Sequence, residues 1–418
     1  MRIEMPHEVD WIIGKIREHG YEAFAVGGCV RDTLLDREPG DWDITTSAKP
    51  EEVKAIFGKT VDTGLQHGTV TVIKNHEGYE VTTYRIDGEY HDGRHPDSVE
   101  FTSNLKEDLK RRDFTINAMA YSHETGIVDE FEGMKDLENK VIRCVGLAHD
   151  RFTEDALRIL RAIRFAAQLG FEIEDETYKA IADIAPNLKK VSKERIQVEM
   201  TKLLMSNYPE KVWMVEATGI SPYVTDQFGD VFAGESAARA GAGAAAESSQ
   251  GYFSEIKTLP KEKSIRWAGF LRHMSPEFVK RTLKALKLDN ETIENARMMV
   301  EAAQTPLAPE KPQIRRFLSR MSAYQFEGCL KLKALDGDPN TEAIRSLWSE
   351  IEADGDCLSL KTLAVGGADL KAAGIKQGKE FGEILAWMLD MVLEDPSLNE
   401  NEILMKKLSD KMAGKISS

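Results

Sequence analysis

Residues 21–45 read YEAFAVGGCVRDTLLDREPGDWDIT, and the fold turns on them. A short apolar run, Phe24-Ala25-Val26, stops at Gly27-Gly28. A helix-like CVRDTLL segment carrying Arg31 follows, and then a second short strand with Asp41-Trp42-Asp43-Ile44. The pattern predicts strand, glycine turn, helix, strand. Alternate side chains of a strand share a face, so Asp41 and Asp43 are expected to project together while Trp42 and Ile44 point into a core. Two adjacent carboxylates repel unless a cation lies between them, and hard oxygen ligands suit Mg²⁺. Gly27 and Gly28 allow close approach of a ligand, the helix start offers N–H groups to phosphate, and Arg31 can add a charge-assisted contact. Together these features predict a site for a metal-bound triphosphate. The stretch lacks both the GK[ST] of a Walker loop and the GxGxxG of a dinucleotide fold.

Working outward, residues 5–19 have helical apolar spacing. Ser47 is expected to cap a helix beginning near Pro50, with Glu51 and Glu52 in its first turn. Residues 69–74 and 79–85 alternate like paired strands around a turn at 76–78. On the second of these, Glu80 shares a face with Thr82 and Tyr84; it reads equally as a third carboxylate near Asp41 and Asp43 or as a solvated strand end. Residues 86–98 (IDGEYHDGRHPDS) lack periodicity and read as a mobile loop. Within DRFTEDALRILRAIRFAA (150–167), one helix is expected, capped by Thr153, with Ala156, Ile159, Leu160, Ile163 and Ala167 on its apolar face. Arg151, Glu154, Asp155, Arg158 and Arg161 fan over the other face with Arg164 at its edge, leaving positive charge over.

GGCVRD, GDWDI, EVTTYR, RRDFTINAMA, RFTEDALRILRAIRFA and ERIQVEMTKLL, in this order, resemble the successive motifs of the class II tRNA nucleotidyltransferases, the bacterial CCA-adding enzymes. The resemblance is strong over the first half of the chain and loose over the second. It implies an α+β fold, a small mixed-sheet head followed by helical neck, body and tail at 1–138, 139–205, 206–305 and 306–418. It implies addition of CCA to tRNA from CTP and ATP, with Asp41 and Asp43 holding Mg²⁺ and Glu80 as third acid. Gly27, Gly28, Arg31 and Arg112 would then hold the triphosphate. Asp155 and Arg158 would read the base with support from Glu154, and Arg161 and Arg164 would contact phosphate. A carboxylate only accepts and a guanidinium only donates, so an Asp-Arg pair suits the Watson–Crick edges of C and A and leaves groups unpaired against U and G.

The long 86–98 loop favours completion with A, because relatives that add only CC have a shortened loop there. Arg94-His95-Pro96 has one arginine before the proline where the family usually has two. An A-adding enzyme or a bacterial poly(A) polymerase is the nearest alternative; the mixed C-terminal segment, without a basic extension, counts against the latter. A non-catalytic RNA-binding descendant has no need for Asp41, Asp43, Asp155 and Arg158 together.

Composition bounds the rest. At 418 residues, with 42% hydrophobic and 30% charged residues, the chain suits several globular domains. Its four cysteines form no CxxC pair, and no apolar run is long enough to span a bilayer, so a reduced, cytoplasmic setting is expected. The net charge of −15 disfavours general nucleic-acid binding unless charge is segregated. Local basic clusters occur at 110–112, 151–164 and 189–195. Residues 235–251 (ESAARAGAGAAAESSQG) read as a flexible segment, and 192–204 as a neck helix with Val198, Leu203 and Leu204 inward. Long helices are expected at 262–287, 291–303, 311–335, 340–353 and 379–393. Gly374 and Gly378, with Lys376 and Lys379, read either as a hairpin that approaches a phosphate backbone or as a simple helix turn.

Overall fold

The computed structural model describes residues 3–88, 98–241, 253–376 and 378–414. The chain forms two compact units, 1–257 with 285–287, and 258–284 with 288–418. The four-part division expected from the sequence is finer than this division by packing.

The first unit opens with α1 (His7–Glu18), which buries Val9, Ile12, Ile13 and Ile16 at the spacing of one helical face. Then come β1 (Ala23–Val26), α2 (Gly28–Leu34), β2 (Ile44–Thr46), α3 (Pro50–Ile56), β3 (Thr60–Gly64), β4 (Thr69–Lys74) and β5 (Glu77–Thr83). After β6 (Arg85–Asp87), β7 (Val99–Phe101) and α4 (Leu105–Lys110), the head closes with β8 (Met119–Ser122), β9 (Gly126–Asp129) and α5 (Gly133–Asn139). Seven strands form one sheet in the order β3-β4-β5-β2-β1-β8-β9, in which β2 and β5 run parallel and the other pairs antiparallel. The central strand β1 is wholly buried, whereas β4 alternates, with Val70 and Val72 inward. Phe24, Val26, Tyr84, Leu109, Ala118, Ala120 and Val145 pack as one core cluster beside the sheet.

The helical part of this unit holds β10 (Val141–Ile142), α6 (Ala148–Glu154), α7 (Leu157–Leu169), β11 (Glu172–Ile173), α8 (Asp175–Ile184), α9 (Lys193–Leu204), α10 (Trp213–Ala217), α11 (Ser221–Val224) and α12 (Asp230–Gly241). The second unit is helical: α13 (Lys263–Phe270), α14 (Pro276–Ala285), α15 (Asn290–Gln304), α16 (Lys311–Leu318), α17 (Ala323–Leu335), α18 (Thr341–Asp354), α19 (Gly367–Ala372), α20 (Lys379–Glu394) and α21 (Asn401–Met412). Its cores gather around Phe326 with Ile314, Leu330, Ile344 and Ile351, and around Met388 with Val392, Leu404 and Leu408. No described helix is long and apolar enough to cross a membrane.

Several local expectations are corrected. The β4–β5 turn is Asn75-His76, both at positive φ, as a tight two-residue hairpin requires. Ser47 does not cap α3: its Oγ accepts the Glu22 N–H at 2.9 Å, while Glu52 accepts the Lys49 N–H at 2.7 Å. Residues 235–241 are helical, because alanine favours helix where glycine and serine are sparse; the rest of that segment, 242–251, lies outside the described residues. The expected helices at 262–287 and 311–335 are each two. Pro276 starts a new helix, and Ser322 with Gln325 forms a capping box. Gly374 stands at φ 83° with open space beside it, beyond α19.

Candidate active site

The carboxylates lie one step outside the strand expected to carry them. β2 begins at Ile44, and Asp41, Trp42 and Asp43 form the approach to it; the Asp43 carbonyl still accepts the Val26 N–H at 2.9 Å, which extends the ladder to β1 by one residue. On the other side β2 pairs with β5 in the register Ile44↔Val81 and Thr45↔Thr82. Continued back by one residue, that register sets Asp43 beside Glu80. Asp41, Asp43 and Glu80 are exposed and line a cleft of about 550 Å³ with Gly40, Trp42, Glu77, Gly78 and Tyr79. Although the Asp43 side chain reaches solvent, partial desolvation in the cleft raises its pKa above the ordinary carboxylate value. Asp41 and Glu80 raise it further, while Arg112 opposes them. Among the described residues no group of three or more His, Cys, Asp or Glu side chains is placed to hold a metal ion by itself. An open carboxylate edge fits a hard divalent cation that keeps waters and takes substrate phosphate oxygens as its remaining ligands.

Gly27 joins this edge to the positive side of the site. It ends β1 at φ 82°, ψ −126°, in a region that L side chains rarely adopt, and donates its N–H to the Met119 carbonyl at 3.1 Å. A Cβ there would stand 3.1 Å from Nη1 of Arg112. Arg112 is anchored by Asp108, whose Oδ2 accepts Nη2 at 3.3 Å, and its Nε–H has no partner among the described residues. Gly27→Ala is therefore expected to cost about 1–3 kcal/mol of backbone strain and to push Arg112 from its place. A lowered Tm together with a raised KM for nucleotide would show this; an unchanged KM would mean that the turn does not set the Arg112 position.

Arg31 is buried, with Nε and Nη2 on Asp32 at 3.0 and 2.8 Å, Nη1 on Asn117 at 2.6 Å, and its guanidinium 4.9 Å from the Phe165 ring centroid. The Arg31 guanidinium thus points inward, onto Asp32, Asn117 and the Phe165 ring.

The neck differs from a single helix. α6 ends at Glu154, Asp155 adopts φ −143°, ψ 102°, and α7 starts at Leu157. Thr153 is not the cap: it lies inside α6, with Oγ1 on the His149 carbonyl at 2.7 Å. Asp155 caps α7, its Oδ1 accepting the Leu157 N–H at 3.0 Å, as a short carboxylate does well. The side chains of Asp155 and Arg158 do not bond to each other; the two residues are joined only by the Arg158 N–H, which donates to the Asp155 carbonyl at 3.0 Å. Arg195 of α9 donates to both oxygens of Asp155, at 3.3 and 2.7 Å. Arg158 donates to Glu154 Oε2 at 2.6 Å and to the carbonyls of Arg151 and Arg111, each at 3.2 Å. Glu154 also accepts Arg151, so it holds two guanidinium groups.

Arg161 and Arg164 are committed to acids outside their own helix. Arg161 donates through Nε to Asp113 at 2.7 Å. Burial acts to raise the Asp113 carboxyl, but Arg161, Asn117 and Arg158 outweigh it and hold it far below the usual range. Arg164, 6% exposed, donates to Glu199 at 2.6 Å and to Gln168 at 2.7 Å, which makes it a brace between α7 and α9. The positive surplus counted along 150–167 is thus balanced by Asp113 and Glu199, which are distant in sequence. Arg111 is likewise paired with Asp108 at 2.8 Å. Ile196, Met200, Leu203 and Leu204 form the inward face of α9, while Val198 is 43% exposed, contrary to the face expected for it.

Removing one partner of a buried pair strands the other. Glu199→Ala is expected to cost about 3–5 kcal/mol in chemical unfolding, and Glu199→Leu combined with Arg164→Met much less. Equal losses would show that packing, not charge, sets the cost.

Comparison with known proteins gives a consistent pattern. Residues 23–143 match the Poly A polymerase head domain, 170–224 the "Probable RNA and SrmB-binding site of polymerase A", and 259–408 a tRNA nucleotidyltransferase domain 2. The chain is 37% identical to the CCA-adding enzyme of Pediococcus pentosaceus, over 97% of this chain and 98% of that one. It is 36% identical to that of Lactobacillus delbrueckii subsp. bulgaricus, over 95% and 96%. Among solved structures, the Bacillus stearothermophilus CCA-adding enzyme in complex with CTP superposes with a TM-score of 0.83 at 33% identity, covering 99% of this chain and all (100%) of that one.

Proposed function

We infer that this chain, which belongs to the CCA-adding enzymes among the tRNA nucleotidyltransferases, adds C, C and A to the 3′ end of tRNA from CTP and ATP and releases pyrophosphate. The observation that carries the reading is the convergence of Asp41, Asp43 and Glu80 on one edge of the sheet, with Arg112 beside Asp43 and the Gly27 turn.

In this reading Asp41 and Asp43 hold Mg²⁺, which when bound makes the primer hydroxyl a better nucleophile and neutralises charge on the triphosphate and departing pyrophosphate. Glu80, next to Asp43 in register, helps take the hydroxyl proton. Arg112 and the backbone at Gly27-Gly28 hold the triphosphate, and Arg31 stiffens the turn from behind. Asp155 accepts the exocyclic amine of cytosine or adenine, and Arg158 donates to cytosine N3 and O2 or to adenine N1. Uracil and guanine present the opposite pattern, so a buried donor or acceptor loses its partner. Glu154 keeps Arg158 in place; Arg161 and Arg164 hold the neck together. The tail carries the grip on the tRNA body, and the cytoplasm, where tRNA and both nucleotides are at hand, is the proposed setting. Of the 86–98 segment expected as a loop, Ile86 and Asp87 instead pair with β7 as part of β6, and 89–97, with His95, lie outside the described residues.

The test uses purified chain, a tRNA transcript lacking CCA, and one labelled nucleotide at a time. CTP is expected to be incorporated, ATP after CTP, and UTP and GTP far more slowly. Chelation with EDTA is expected to stop incorporation, and excess Mg²⁺ to restore it. Incorporation that survives EDTA would overturn the metal role, and absence of CTP incorporation would overturn the function.

A further inference from the structure

We propose that Arg195, on α9, is a positioning residue for base selection: it fixes the orientation of the Asp155 carboxylate and leaves it one outward-facing acceptor for the incoming nucleotide. The proposal rests on the reading of Asp155 as the group that meets the exocyclic amine.

The hydrogen-bond count carries it. Each carboxylate oxygen has two lone-pair directions. Oδ1 of Asp155 accepts the Leu157 N–H at 3.0 Å and Nη1 of Arg195 at 3.3 Å; Oδ2 accepts Nη2 of Arg195 at 2.7 Å. Among the described residues, Oδ1 is therefore filled and Oδ2 keeps one direction. A free aspartate rotates about two side-chain bonds and could meet an amino group or, by turning, evade a carbonyl. A carboxylate held by a guanidinium fork and a backbone amide does neither, so its remaining acceptor rewards N4 of cytosine or N6 of adenine and repels O4 of uracil or O6 of guanine.

The fork is itself held. Arg195 lies one turn before Glu199 on α9, and Glu199 grips Arg164 of α7 at 2.6 Å. Two charge pairs of opposite polarity, Arg195 with Asp155 and Glu199 with Arg164, thus lock α9 against both the start and the middle of α7. Ile196, Met200 and Leu203 fill the same interface with apolar surface. The Asp155 pair is less enclosed than the Arg164 pair: its side chains are 23% and 15% exposed against 7% and 5%. That difference suits the first to meeting substrate and the second to structure.

The test measures single-nucleotide addition of CTP and UTP to a tRNA lacking CCA, and of ATP and GTP to one ending in CC, with kcat and KM separated. Arg195→Ala is expected to lower kcat/KM for both CTP and ATP by about 10–100-fold, as removal of an outer-shell support does, and to cut CTP-over-UTP selectivity at least about tenfold. Arg195→Lys, with one donor group in place of a fork, is expected to recover part of the selectivity. Arg195→Gln, measured alongside, keeps the test alive if the alanine variant does not fold. If the variants lower Tm but keep wild-type selectivity while Asp155→Ala loses it, Arg195 only braces the fold and the proposal is overturned. If Asp155→Ala itself keeps selectivity, the base-reading role fails and takes this proposal with it.

Discussion

Asp41→Asn and Asp43→Asn are each expected to lower nucleotide addition by about 10³-fold or more while leaving the protein as stable as the parent, or slightly more so. The activity loss follows from the chemistry: phosphoryl transfer to a hydroxyl needs charge stabilisation worth several kcal/mol, and about 1.4 kcal/mol is a factor of ten in rate. An asparagine keeps the size and one acceptor oxygen but not the charge. The stability side follows from the structure. Both carboxylates are exposed at the cleft, outside the hydrogen-bonded body of β2, and beside partial desolvation the neighbouring Asp41 and Glu80 charges act to raise the Asp43 carboxyl, as like-charge repulsion does. Removing one charge relieves that repulsion, the usual conflict between a working site and a stable one. Thermal melts beside single-turnover rates check both halves. Variants that fold as well as the parent and keep more than a tenth of its activity would mean that the chemistry is carried elsewhere.

The second large effect is on selection. Arg158→Ala is expected to remove most discrimination against UTP, taking a preference for CTP of about 10⁴ down to about tenfold or less. The guanidinium is held by Glu154 and by the carbonyls of Arg151 and Arg111, so under the proposed reading it would meet the base already oriented. Alanine leaves a space that any pyrimidine can share with water. Competition between CTP and UTP on a tRNA lacking CCA reads the effect directly. Wild-type selectivity in the variant would remove Arg158 from the base-reading pair.

The head was legible in the sequence because its signals are local. Gly27-Gly28, the alternation in 69–74 and 79–85, and the spacing of Asp41 and Asp43 each depend on residues a few positions apart, and the sheet realises them with small shifts at the ends. The position of Glu80 needed one long-range fact, the parallel register of β2 on β5. No local pattern contains that, which is why the residue read two ways. The neck was less legible for the same reason. Counting charges along 150–167 gave a free positive face, whereas Asp113 and Glu199 neutralise Arg161 and Arg164 from 48 and 35 residues away in sequence. The helix break was nevertheless present in the sequence: Asp155 stands two residues before Leu157, where a capping carboxylate belongs, but the apolar periodicity on both sides hid it. Arg195 stands in the sequence within ERIQVEMTKLL and the basic cluster at 189–195, which mark a neck helix but name no partner; that partner appears only when α9 is packed on α7.

The most direct measurement sequences the product ends made by the purified chain on three tRNA transcripts, one ending at the discriminator base, one after the first C and one after CC, each with CTP, ATP and Mg²⁺. The account predicts that all of them finish as CCA and stop. Extension of the CC-ended transcript alone, by a single A, or a run of A on any of them, would contradict it.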